Sequence, residues 1–221
     1  MISASRMKLV IVLSVFLGTA LSTSVAKATV VGVGPGAFPA GSTLITFTGL
    51  PDGTEVNGLI VGGVLFNYSL GNGNVIIDGG PGVTNNINPQ NIVSVGNPTG
   101  ILTLLLPGLA TTFGYGYAIL NTIPVPNATT ITLFSGATNV GSLSYNGLPD
   151  PTFTGGFAGI QSTIPFDRVQ ITFAVAPAFA LDNVRIANVP EPTTMLLLGT
   201  GLAGLAARVR RRRKPIENEK A

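Results

Sequence analysis

Apolar and polar residues alternate in short runs along most of this chain. Arg168-Val169-Gln170-Ile171-Thr172-Phe173 and Thr130-Ile131-Thr132-Leu133-Phe134 show the period of two that marks a strand with one buried face. Similar runs cover Thr43 to Phe47, Glu55 to Tyr68, Val75 to Asp78, Ile101 to Leu106, Thr111 to Leu120, Val140 to Tyr145, Phe157 to Gln161 and Phe179 to Ile186. Turn chemistry separates them: Pro51-Asp52-Gly53, Gly62-Gly63, Asp78-Gly79-Gly80-Pro81, Asn146-Gly147 and Gly155-Gly156. Between about Thr29 and Ala187 no apolar run has the length and 3.6-residue period of a helix. Many short strands at this spacing predict an all-β, antiparallel β-sandwich, jelly-roll-like in the first instance and immunoglobulin-like in the second. Gly80 to Gly100 lacks a strand pattern and is rich in Asn, Gly and Pro, so it reads as a long surface loop or a frayed edge.

The two ends break the pattern. Arg6 and Lys8 precede the apolar run Leu9 to Leu17, and small residues follow as far as Val25-Ala26-Lys27-Ala28. That order is the order of a secretory signal helix, with Ala26 and Ala28 placed for signal peptidase to cut after Ala28. At the other end Val189-Pro190-Glu191-Pro192 leads into an apolar, Gly-rich stretch from Thr193 to Ala207, closed by Arg208, Arg210, Arg211, Arg212 and Arg213. A spanning helix needs about 17–20 residues, so this stretch is a short transmembrane helix that just reaches across if Val209 is included and Arg208 snorkels. The arginines stop transfer and stay on the cytoplasmic side, leaving the domain before them outside. The prolines flanking Glu191 hold that segment extended and open to a processing enzyme. Gly199, Gly201 and Gly204 weaken the helix as a permanent anchor. The expected organisation is a signal peptide at 1–28, a β-sandwich domain at 29–188, a sorting and anchor segment at 189–214 and a cytoplasmic tail at 215–221.

Pro190-Glu191-Pro192, the Leu- and Gly-rich span and the terminal arginine cluster resemble the PEP-CTERM sorting signal of bacteria with a two-membrane envelope. The resemblance implies transient residence in the inner membrane and cleavage near the Pro-Glu-Pro box by an exosortase-like enzyme. It also implies a destination at the cell surface or in the extracellular matrix, in association with exopolysaccharide. In the central domain, Ile45-Thr46-Phe47, Gly63-Val64-Leu65-Phe66 and the closing Phe179-Ala180-Leu181-Asp182-Asn183-Val184-Arg185-Ile186 resemble the layout of carbohydrate-binding-module-like jelly rolls.

Composition narrows the chemistry. The net charge of +3 comes from the ends; between Thr29 and Val189 two cations (Arg168, Arg185) stand against six carboxylates (Asp52, Glu55, Asp78, Asp150, Asp167, Asp182), leaving −4. A nucleic-acid surface needs clustered Lys and Arg, and this span has none, so nucleic acid is not an expected partner. The chain has no Cys and no His, which removes thiol and imidazole catalysis and the usual zinc ligands. Turn-associated Asp residues are better explained by backbone hydrogen bonds than by glycosidase chemistry, so the expectation is a non-enzyme with no resident cofactor. Two binding chemistries remain. Tyr115 and Tyr117 lie two apart on a strand and share one face, either as a platform for a glycan ring or as core residues. Asp182 with Asn183, joined by Asp52 or Glu55, offers oxygen ligands to Ca²⁺, or simply caps a strand end.

Overall fold

The computed structural model describes residues 28–150, 152–174, 177–188 and 200–202. The predicted signal helix, the short transmembrane helix and the arginine stop lie outside the described residues, apart from the helical Thr200 to Leu202. Among the described residues no helix is long and apolar enough to cross a membrane.

Among the described residues eleven strands and one 3-10 turn (Pro35–Ala37) follow in chain order: β1 (Val30–Gly32), β2 (Thr43–Ile45), β3 (Leu59–Val61), β4 (Val64–Tyr68), β5 (Val75–Asp78), β6 (Asn91–Ser94), β7 (Leu102–Ile119), β8 (Val125–Ser135), β9 (Thr138–Asp150), β10 (Phe153–Phe173) and β11 (Phe179–Asn188). Every pairing between them is antiparallel. The all-β architecture is consistent with a β-sandwich. Its two halves share the long strands β7 and β10. In one half β3, β4, the start of β7, the end of β10, β8 and β9 lie side by side; in the other, β5, β6, β11, the end of β7 and the start of β10 do.

The sequence pattern divides each long strand into two, and the structure runs them through as one. The reason is visible in the inward-facing positions. In β7 these are Leu102, Leu104 and Ala110, then Phe113, Tyr115, Tyr117 and Ile119. The phase changes from even to odd between Ala110 and Phe113. In β10 it changes between Phe166 and Val169, where the β7 pairing slips its register just past Pro165. A one-residue slip turns every later side chain to the other face, and bulges with proline are where strands bend from one sheet into the next. Both halves thereby present their apolar face to one core, which includes Phe47, Phe66, Phe113, Phe166, Ile131 and Val169, all fully enclosed. Each such side chain contributes roughly 1.5–3 kcal/mol by leaving water.

The expected long loop over Gly80 to Gly100 needs correction. Its Asn91–Ser94 is strand β6, hydrogen-bonded between β5 and β11, and Asn91, Ile92 and Ser94 are buried. Thr84, Asn85 and Ile87 are also buried. Asn91-Ile92-Val93-Ser94 is too short and too polar at its ends to declare itself, and the pairing on both edges supplies what its own propensity lacks.

Candidate functional site

The run Phe113-Gly114-Tyr115-Gly116-Tyr117 in β7 sorts rings to one face and glycines to the other. Tyr115 and Tyr117 do share a face, and it is the face turned into the core: they are 0% and 1% exposed. The rings meet edge-on at 6.2 Å. Thr129 donates its hydroxyl hydrogen to the Thr172 carbonyl at 3.0 Å, so across the 2.5 Å contact it is Tyr115 that donates to Thr129. Tyr117 donates to the Asn146 carbonyl at 3.0 Å. Burial pushes the Tyr117 hydroxyl up to about 12 and that of Tyr115 well above its ordinary value. As a glycan-stacking platform the pair is therefore corrected: enclosed rings with committed hydroxyls offer no surface to a sugar. Tyr68 donates to the Asn97 carbonyl and accepts from the Gly100 N–H, and Tyr145 donates to the Gly159 carbonyl. All four tyrosines serve the fold.

On the opposite face of β7 the glycines admit a covering segment. A side chain at Gly116 would collide with the carbonyl of Asn86. Asn85 and Asn86 take left-handed backbone angles (φ 48° and 63°), which Asn tolerates better than most residues. Thr84 donates to the Asp150 carbonyl at 2.7 Å, and the Asn85 N–H donates to the Asp150 carboxylate at 3.1 Å. Ile87 then packs on Ala118 and Ala180.

Beneath this segment sits Asp182. Between Asp182 and Arg185 strand β11 advances three residues while β7 advances two, and Asn183 at the bulge is left-handed (φ 52°). The bulge sends Asp182 outward under the covering segment, where it is 1% exposed. Its Oδ2 accepts the Asn88 N–H at 3.0 Å, while Oδ1 has no hydrogen-bond partner. Burial pushes the carboxyl up to about 6, against the pull of the N–H groups of Asn88 and Asn183. Asn91 donates to the carbonyls of Asn88 and Gly79, and its own Oδ1 is enclosed without a partner.

The structure brings Asp182 together with Asn88, a residue the sequence pattern did not single out; the Asn-rich run Thr84 to Asn88 was the available signal. It does not gather the other expected cation ligands. The Asn183 amide is spent on the Asn86 carbonyl at 2.7 Å, Glu55 accepts the Gly73 N–H, and Asp52 accepts the Gln90 amide at 2.6 Å. Among the described residues no three His, Cys, Asp or Glu side chains come together to hold a metal. Nearby, Pro81, Val93, Phe153 and Ala180 line a half-open, largely apolar groove of about 270 Å³ with Asp78 at its edge.

Of the processing residues, Ala26, Pro190, Glu191, Pro192, Arg208, Arg210, Arg211, Arg212 and Arg213 lie outside the described residues. Ala28 packs against the core, and Thr29 after it is tied to Thr163 by its N–H and carbonyl, both at 3.1 Å.

No curated protein matches the chain. Among solved structures it is similar to the K2 cleaved adhesin domain of Lys-gingipain (Kgp), with a TM-score of 0.45 and 12% identity over 68% of this chain and 100% of that one. Residues 188–212 match the PEP-CTERM protein-sorting motif, beginning on the last residue of β11. The chain therefore carries a PEP-CTERM sorting motif directly behind its β domain, the signal of an exported protein held at the membrane before processing.

Proposed function

We propose that this protein is a structural or adhesive component of the cell surface or extracellular matrix, associated with exopolysaccharide and without enzymatic activity. The sorting motif at 188–212 carries the reading. In it, signal peptidase removes the N-terminal segment, the membrane holds the C-terminal one transiently, and an exosortase-like enzyme recognises Pro190, Glu191 and Pro192. The domain so delivered is a jelly-roll-like sandwich, a reading supported by the pairing of the early strand β2 with the late strand β11. The lack of His and Cys supports a non-catalytic role. Fractionation of producing cells tests it: the wild-type chain is expected in the matrix fraction with its C-terminal segment missing by mass spectrometry. A Glu191→Ala chain is expected to stay in the membrane fraction at full mass.

A second reading, a calcium-dependent glycan-binding module, draws support from the unpartnered Oδ1 atoms of Asp182 and Asn91. A glycan array run with calcium and with chelator tests it; binding that the chelator leaves intact removes the calcium from the account.

A further inference from the structure

The outward face of the half-sheet β3-β4-β7-β10-β8-β9 carries an order that neither the sorting motif nor the Asp182 site explains. The register aligns residues from successive strands into rows that run across the sheet. One row is Ile60, Leu65, Leu105, Arg168 and Phe134, each paired with the next. Two residues further along the strands lies a second row: Asn67, Thr103, Gln170, Thr132 and Ser142. The first row is apolar except for Arg168, whose guanidinium lies 4.3 Å from the centre of the Phe134 ring. The second is made entirely of uncharged amides and hydroxyls. Each row crosses five strands, about 19 Å at ordinary strand spacing, and the two lie about 7 Å apart.

These residues point away from the core and keep surface in solvent; Ile60 is 66% and Leu105 is 39% exposed. At the corner of the apolar row, an open hollow of about 340 Å³ is lined by Leu105, Leu106, Gly136, Asp167 and Arg168. The Nε–H of Arg168 is enclosed without a hydrogen-bond partner and is itself closed to solvent.

We propose that this face binds an uncharged polysaccharide chain laid across the strands. The proposal rests on the matrix reading above and assigns it a surface. A pyranose chain presents C–H faces beside rims of hydroxyls, the same pairing of apolar and polar strips that the two rows offer. Asn67, Thr103 and Gln170 carry groups that both donate and accept, while Ser142 donates to the Ile131 carbonyl and Thr132 to Ser142, so these two hydroxyls offer acceptors. Charge points the same way: Arg168 is the one cation in the two rows, and the domain as a whole is net negative, so nothing here recruits an anionic polymer. A second copy of the chain fits less well. The apolar strip is one residue wide, whereas stable dimers bury roughly 1,000 Å² or more around a contiguous apolar centre.

The experiment is affinity electrophoresis of the full chain through gels holding deproteinised exopolysaccharide from the producing bacterium, with dextran and galactomannan as neutral probes and alginate as the acidic one. The variants are Gln170→Ala combined with Thr132→Ala, and separately Leu105→Asp; Val83→Asp, on an exposed position elsewhere, is the control. Retardation by the exopolysaccharide is expected, insensitive to salt and weakened at least about tenfold in both platform variants but not in the control. Circular dichroism confirms that each variant is folded, and a variant that is not is replaced by Thr103→Val. Equal retardation of the platform variants overturns the proposal, as does salt-sensitive binding to alginate alone. So does a self-association, seen in sedimentation, that the platform variants abolish. Matrix fractionation of the wild type separates the two levels. A chain that resides in the matrix yet ignores its polysaccharide defeats this assignment alone, and a chain absent from the matrix defeats the matrix reading with it.

Discussion

Gly116 of β7 lies directly opposite Asp182 of β11, and the Asn86 carbonyl fills the space that any side chain at Gly116 would need. The glycine thus holds the door for the segment that buries the carboxylate. Gly116→Ala must push Asn86 off the sheet or strain β7. The expected loss is about 1–3 kcal/mol, the usual range for overpacking, read as a lower urea midpoint. Faster amide exchange between Thr84 and Asn88 than in the wild type is expected with it.

Asp182 itself makes stability depend on pH. Its folded carboxyl is raised to about 6 from an ordinary value near 3.8. The folded state therefore holds the proton between those values while the unfolded chain has released it. Stability is highest below the unfolded value and falls as pH rises through the window toward 6, by roughly 2–3 kcal/mol in total. Urea unfolding between pH 4.5 and 8 is expected to show that decline. Asp182→Asn, which keeps an acceptor for the Asn88 N–H, is expected to flatten it and to be more stable than the wild type at pH 7.5.

The bulge can be separated into backbone and side chain. Asn183 is left-handed and donates to the Asn86 carbonyl. Asn183→Gly keeps the backbone and loses one hydrogen bond, an expected change of about 1 kcal/mol. Asn183→Val loses both, since a β-branched residue resists positive φ, and is expected to cost about 2–3 kcal/mol. Thermal unfolding of the two variants side by side reads the difference.

Tyr115 is a structural hydroxyl. Tyr115→Phe leaves Thr129 still bonded to the Thr172 carbonyl, so the expected loss is about 1 kcal/mol, with no effect on polysaccharide binding. An ultraviolet titration is expected to show Tyr115 ionising only above the range of an exposed tyrosine, because burial disfavours its charged form.

How much of this was legible in the sequence differs by element. β5 and the stretch Thr129 to Phe134 of β8 follow from alternation and turn residues, because each of these stretches stays in one phase. The strands β7 and β10 read as two each, because Pro107-Gly108 and Pro165 look like ends, when in the fold both strands run through them with a slip of register. β6 was invisible: two pairing partners, β5 before it along its whole length and β11 far along the chain at Ile92 and Val93, make Asn91 to Ser94 a strand.

The sequence by itself determined the class of fold, the exclusion of thiol and imidazole chemistry, and the sorting motif, because each of these depends on residue order within a short stretch. It also determined that Tyr115 and Tyr117 share a face. Only the tertiary structure decided which face that is, because a period of two is the same for rings turned inward or outward, and the packing of both half-sheets on one core breaks the tie. The rows across β3, β4, β7, β10, β8 and β9 belong to the same category. Their members are scattered from Ile60 to Gln170, and the backbone register alone sets them side by side.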